Sequence, residues 1–201
     1  MKIKKRMAQK LITITPDATV LDALNLLHKH SIRHLPVVSG ESFTGFVSES
    51  DIRQVLLLPG GNDVKIDEIM NREPVTIGPE DNLEVAAKLI HDYKIGGLPV
   101  VEDQKLVGII TVEDIMAAFI EIMGVLQASS RIDVVLGETP EAFESVSRII
   151  KQNGGDIISV GMGDTEGKNK KFYFFRLKKC DVDRIAESIA GRGYEVVSVI
   201  E

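Results

Sequence analysis

The sequence predicts a mixed α/β protein made of two copies of one supersecondary unit, followed by a third α+β unit of different order. Three observations carry this. Residues 32–38 read IRHLPVV and residues 95–101 read IGGLPVV, one frame written twice at a spacing of 63. Sliding the chain by 63 also pairs Met7 with Met70, Thr13 with Thr76, Pro16 with Pro79, Ala23 with Ala86, His28 with His91, Gly45 with Gly108 and Asp51-Ile52 with Asp114-Ile115, all without a gap. Such unbroken register marks a duplicated unit. After residue 130 the repeat is gone, and the pattern runs strand, helix, strand, strand, helix, strand.

Each copy opens with a β-branched run, ITIT or VTIG, closed by Pro16 or Pro79, which predicts a short strand ending at a breaker. A helix follows. Val20, Ala23, Leu24 and Leu27 recur at i, i+3, i+4 and i+7, as do Leu83, Ala86, Ala87 and Ile90, so each helix carries one apolar stripe. Next come two strands, LPVV and then FTGFVS or LVGII, joined by tight turns at Gly40-Glu41 or Asp103-Gln104. A second helix starts near Asp51 or Asp114, with Ile52, Val55 and Leu56, or Ile115, Ala118, Phe119 and Ile122, expected to face inward. One copy of about 55 residues buries too little surface alone, so the two are expected to pack about a pseudo-twofold axis with a cleft at the seam. PGGNDVK (59–65) punctuates the junction between copies, and GVLQASSR (124–131) a second boundary.

The remainder reads as strand RIDVVLG, helix PEAFESVSRIIKQNG, strands DIISVGMG and KFYFFRLK, helix VDRIAESIAGRG and strand YEVVSVI. This βαββαβ order predicts a ferredoxin-like sandwich, with helices on one face of an antiparallel sheet.

Bulk properties narrow the function classes. With 44% hydrophobic and 27% charged residues, the composition is that of an ordinary globular protein. A net charge of -6 argues against a general nucleic-acid-binding field, and the single cysteine, Cys180, allows no intrachain disulfide. The basic N-terminus lacks the apolar run of a secretory signal, and the most apolar stretch, IMAAFIEIMGVL, is short and broken by Glu121. The expectation is a cytoplasmic protein that contacts neither membrane nor nucleic acid. KFYFFRLK shares its aromatic and basic character with RNA-recognition strands, yet no glycine separates its aromatics. His28, His30 and His34 have no completing acid or cysteine cluster, so no metal site is expected, and the recurrence of His28 as His91 points to a packing role. Nucleophile motif, Walker loop and zinc spacing are all missing, which points away from an enzyme.

Two repeated features could carry chemistry. GFVSESD (45–51) and GIITVED (108–114) place a hydroxyl, Ser48 or Thr111, three residues before an acid, Asp51 or Asp114, at a helix start. One reading is a capping box that satisfies first-turn amides. The other is a ligand site: helix amides and the hydroxyl for an anion, and the acid for vicinal ribose hydroxyls, since a carboxylate would repel phosphate but accept two donors. The second feature is the pair before LPVV. Arg33 and His34 offer a positive fork and a titratable ring suited to phosphate, whereas Gly96 and Gly97 leave space and bare amides.

ITITPD, IRHLPVV, GFVSESDI and their second-copy equivalents resemble a tandem pair of CBS domains, the Bateman module, over residues 1 to about 125. The tail resembles an ACT domain, and the whole order is similar to the acetoin-utilisation protein B family. The resemblance implies CBS domains at 1–62 and 63–125 and an ACT-like domain at 130–201. It implies a non-catalytic homodimeric regulator without cofactor, sensing AMP, ADP, ATP or S-adenosylmethionine, with a protein target not identified by sequence. It further implies cross-pairing of the copies: Thr13, Arg33, His34 and Pro36 with Thr111 and Asp114, and Thr76, Gly96, Gly97 and Pro99 with Ser48 and Asp51. Many ACT domains carry a glycine in the first strand-to-helix loop. This chain has E-T-P-E at 138–141, with Glu141 in that place, so the tail is expected to pair subunits more than to bind an amino acid. The alternatives are a nucleotide-indifferent assembly module and an amino-acid sensor.

Overall fold

A computed structural model describes residues 1–136, 140–164 and 171–201, and the chain divides into two compact units, Met1–Met116 and Ala117–Glu201. The division falls inside a helix, ahead of the boundary expected at 124–131.

In the first unit, copy one comprises α1 (Val20–His30), β1 (His34–Ser39), β2 (Ser42–Ser48) and α2 (Glu49–Leu56). A short helix, α3 (Ile66–Ile69), precedes copy two, which comprises α4 (Leu83–Tyr93), β3 (Gly97–Glu102), β4 (Lys105–Thr111) and α5 (Val112–Ile122). The expected stripe buries Val20, Ala23 and Leu27 of α1. Thr19 caps that helix by accepting the Asp22 N–H while Asp22 accepts the Thr19 N–H. Ser31 and Lys94 end α1 and α4 in the left-handed region at φ 52° and 55°. Both hairpins have two-residue turns. Gly40 has positive φ at the first central position, as a type II′ turn demands, whereas Asp103 and Gln104 are both positive, as in type I′.

Several expectations are corrected. ITIT and VTIG do not form strands: each contributes one parallel bridge, Ile14 to Val37 and Ile77 to Val100. Pro16 and Pro79 cut these runs before a longer ladder can form. Phe119 and Ile122, expected inward, are 39% and 46% exposed. His28 and His91 are exposed in the last turns of their helices rather than packed.

The leading segments of the copies are exchanged. The N-terminal stretch serves copy two: Ile3 N–H donates to Asp81 O, Leu83 N–H donates to Met1 O, and Ala8 bridges Ile109 of β4. The stretch before copy two serves copy one through the same contacts shifted by 63: Ile66 N–H to Ala18 O, Val20 N–H to Val64 O, and Asn71 to Phe46 of β2. Ile66 joins the copy-one core with Leu27, Leu35, Val37, Val47 and Ile52, and Ile3 is fully buried. Met70 and Met7 lie over Gly45 and Gly108, where an added Cβ would come within 2.7 Å and 2.6 Å of their sulfurs. This close approach is why a glycine recurs in the middle of each second strand.

The second unit holds β5 (Ser129–Val135), α6 (Pro140–Gln152), β6 (Ile157–Asp164), β7 (Lys171–Lys178), α7 (Val182–Ala190) and β8 (Glu195–Ile200). Its four strands form one antiparallel sheet in the order β6-β7-β5-β8. That is the ferredoxin-like βαββαβ arrangement, with Ile132, Val134, Phe175 and Leu177 buried against Val146, Ile150, Ile185 and Ile189 of the helices. Away from that core, Arg131 donates to the Asp133 carboxylate at 2.6 and 2.8 Å and lies 4.7 Å from the Phe174 ring centre. Of the E-T-P-E stretch, Glu138 and Thr139 lie outside the described residues, while Glu141 is an exposed first-turn residue of α6. No helix among the described residues is long and apolar enough to cross a membrane.

Candidate functional site

Two clefts run along the seam of the copies, and their walls correspond under the 63-residue shift. The larger, about 700 Å3, is lined by Ser48, Ser50 and Asp51 of the β2–α2 junction, Tyr93, Lys94, Gly96 and Gly97 of the α4–β3 junction, and Asn71, Pro74 and Val75. The smaller, about 330 Å3, is lined by Thr111, Glu113 and Asp114, Ser31, Arg33, His34 and Pro36, and Ala8, Leu11 and Ile12. Both volumes lie in the range of small-molecule sites. The smaller cleft brings Arg33, His34 and Pro36 together with Thr111 and Asp114, and the larger brings Gly96 and Gly97, but also Arg33 and His34, together with Ser48 and Asp51. Thr13, Thr76 and Pro99 are not among the lining residues. Thr13 is half-buried, Thr76 is exposed and Pro99 is buried in β3.

The two acids do the work of capping boxes. Asp51 Oδ2 accepts the Ser48 N–H at 2.9 Å and its hydroxyl at 2.6 Å, while the Asp51 N–H donates to Ser48 Oγ at 3.3 Å. Asp114 Oδ2 accepts the Thr111 N–H at 2.8 Å and its hydroxyl at 2.7 Å. Capping does not consume either carboxylate. All these bonds go to Oδ2, and Oδ1 of each acid accepts no hydrogen bond among the described residues. The two readings of the motif are thus compatible in one side chain. The first amide of each helix is already used, since Glu49 N–H donates to Arg33 O at 2.9 Å and Val112 N–H to Gly96 O at 3.1 Å. Those two bonds tie the residue pair before each LPVV to the rim of its own helix.

The pair itself departs from expectation. The space beside Gly96 and Gly97 is in part taken by a side chain. The His34 ring of the other copy lies against them, and a Cβ on Gly96 would come within 2.7 Å of its Nε2. His34 stacks on Phe46 with ring centres 5.7 Å apart and 12° between planes. Burial, reinforced by the neighbouring Arg33 charge and opposed by Asp51 and Glu49, pushes its pKa below the ordinary histidine value. The tight approach is at Gly96, the counterpart of Arg33, whereas a Cβ on Gly97, the counterpart of His34, would stand 3.5 Å from the ring. Nor does Arg33 stand free for phosphate: its guanidinium forms an ion pair with Glu113, across the copies. The sequence comparison passed over Glu113 because its counterpart, Ser50, is neutral, and Tyr93 and Lys94 because only the fold brings the end of α4 to the cleft. Among the described residues no group of three His, Cys, Asp or Glu side chains could hold a metal ion.

The CBS domain family profile matches residues 3–58 and 66–121. The chain is 34% identical over 106 residues to inosine-5′-monophosphate dehydrogenase of Korarchaeum cryptofilum, a match spanning 52% of this chain and only 21% of that enzyme. It thus spans about a fifth of that relative's length, and its likeness is confined to that part. A CBS domain-containing protein of Dictyostelium discoideum is 32% identical, with 60% of this chain and 92% of that one covered. Among solved structures, the CBS domain pair of protein MJ0100, in complex with 5′-methylthioadenosine and S-adenosyl-L-methionine, superposes with TM-score 0.55 at 32% identity, over 59% of this chain and 95% of that one. CBSX2 in complex with AMP gives 0.55 at 30%, over 60% and 97%. The AcuB protein of Vibrio cholerae, assigned to acetoin utilization by its name, gives 0.57 at 28%, over 62% and 94%.

Proposed function

From the premise that the chain belongs to the CBS domain family, we propose that it is a non-catalytic cytoplasmic regulator whose two clefts take adenosine compounds: AMP, ADP, ATP or S-adenosylmethionine. The observation that carries this reading is the pair of cross-copy constellations, each with a carboxylate that caps its helix through Oδ2 and keeps Oδ1 for a sugar. Vicinal ribose hydroxyls supply two donors to such an acceptor. The aromatic wall of His34, Phe46 and Tyr93 in the larger cleft suits a purine. Complexes of related CBS pairs with AMP, and with S-adenosylmethionine and 5′-methylthioadenosine, support the same ligand class. We assign the CBS domains to 1–62 and 63–125 and an ACT-like domain to 130–201, the last serving homodimerisation or output to a protein target. The likeness to an acetoin utilization protein makes that process the first place to look for the target.

Isothermal titration with AMP, ADP, ATP and S-adenosylmethionine tests the reading. A ligand at 100 times its Kd should raise stability by about 2.7 kcal/mol. Asp51→Ala or Asp114→Ala should each weaken binding in its cleft about tenfold or more, since a charge-assisted hydrogen bond contributes roughly 1.5–3 kcal/mol. The completed capping boxes favour a second reading, an assembly module indifferent to nucleotides. Under it each substitution costs about 1 kcal/mol of stability and no titration gives heat.

A further inference from the structure

The walls of the two clefts are built from corresponding positions under the 63-residue shift, and two of the positions at which their residues differ meet. Arg33 corresponds to Gly96 and Glu113 to Ser50 under the 63-residue shift. The Arg33–Glu113 ion pair therefore has an uncharged mate, Gly96 and Ser50, on the other side of the seam. Ser50 shares a 2.7 Å hydroxyl contact with Ser48 and makes no claim on a cation. Arg33 lines both clefts, whereas Glu113 lines only the smaller one, directly beside Asp114.

A guanidinium in this place is the natural partner of a phosphate, because its planar fork matches two anionic oxygens. Glu113 offers it a carboxylate instead. A phosphate that engages Arg33 in the smaller cleft, which Lys10 also lines, has to displace that carboxylate and then remain beside it, so it meets both the loss of the existing pair and like-charge repulsion. A nucleoside or thionucleoside seated with its sugar on Asp114 meets neither. The pair is more than half exposed on both sides, so it adds little to the fold and can be exchanged without unfolding.

Resting on the nucleotide-binding reading above, we propose that Glu113 is a built-in competitor for Arg33 and biases the Asp114 cleft toward adenosine compounds that carry no 5′-phosphate. Glu113 is thus a specificity residue and Arg33 its target. The bias belongs to one cleft alone.

Isothermal titration of the full chain with AMP and with adenosine tests this in wild type, Glu113→Gln and the double variant Arg33→Ala/Glu113→Gln. The expected result is a rise in AMP affinity of roughly tenfold in Glu113→Gln, with adenosine affinity unchanged. The double variant should lose that gain, because the gain runs through Arg33. Thermal unfolding should be the same for all three chains, which separates selectivity from fold damage. An AMP affinity that stays level or falls in Glu113→Gln, while adenosine still binds, overturns the inference and leaves the nucleotide reading intact. A gain that persists without Arg33 also overturns it. No heat from either probe in any chain overturns the nucleotide reading and this inference together.

Discussion

His34 of the first copy fills the space that Gly96 of the second leaves open, with Nε2 placed 2.7 Å from where a Cβ would stand. Two positions that differ between the repeats are thus one contact across the seam. Gly96→Ala should push the imidazole off its stack with Phe46 and destabilise the first unit by about 1–3 kcal/mol, the usual cost of overpacking. Gly96 does not have positive φ, so the penalty is one of space rather than of backbone. In urea unfolding, His34→Ala should therefore rescue Gly96→Ala. A double variant no more stable than Gly96→Ala alone would break the link.

Gly45 and Gly108 report on the exchanged segments. A Cβ at Gly45 would meet Met70 Sδ at 2.7 Å and Asn71 O at 3.0 Å, and at Gly108 Met7 Sδ at 2.6 Å and Ala8 O at 3.2 Å. A methionine tip can swing away but a backbone carbonyl cannot. Each alanine substitution should cost about 1–3 kcal/mol, and the two costs should match, because the contacts are copies of one another. Denaturant midpoints compared at constant slope measure this.

The half-buried His34 makes stability depend on pH. Its folded pKa lies below the ordinary value of 6.5, first through burial and then through Arg33. Between the folded and unfolded values the unfolded chain binds the extra proton, so the stabilisation is full above about pH 6.5 and is lost as pH falls through the folded value. His34→Gln should flatten this part of the stability profile relative to wild type. Urea midpoints at pH 7.5 and 5.5 provide the comparison, and an unchanged slope in the variant would place the titration elsewhere.

In the second unit, Asp133 is 7% exposed and receives both donors of Arg131, which lies over Phe174. Asp133→Ala leaves a partly buried guanidinium without its carboxylate and should cost about 2 kcal/mol. Adding Arg131→Met should return part of that loss, since the unpaired charge is then gone too. Thermal unfolding of the single and double variants decides the matter.

Much of the architecture was legible in the sequence because it rests on local patterning. The Ser48/Asp51 and Thr111/Asp114 boxes, the two-residue hairpins and the βαββαβ tail follow from neighbours within a few residues, and the repeat shows itself in a constant spacing of 63. What was not legible lies across the seam. The 63-residue shift equates Met7 with Met70 but does not say that each packs on the other copy's glycine. It marks Arg33-His34 and Gly96-Gly97 as different but does not say that the two pairs touch across the seam. Arg33 looked available because the acid that engages it, Glu113, is 80 positions away and has no charged counterpart. The strands expected at ITIT and VTIG shrank to single bridges, since β-branched propensity cannot carry a ladder past a proline.

The swap of leading segments has one last consequence. Neither half owns a complete interior: a fragment carrying only the first copy would have an empty slot where Ile66 belongs, and one carrying only the second would lack Ile3. Melting either half strips a wall from its twin, so the pair should unfold in one step, and the smallest autonomous piece is the duplex of copies rather than the single motif.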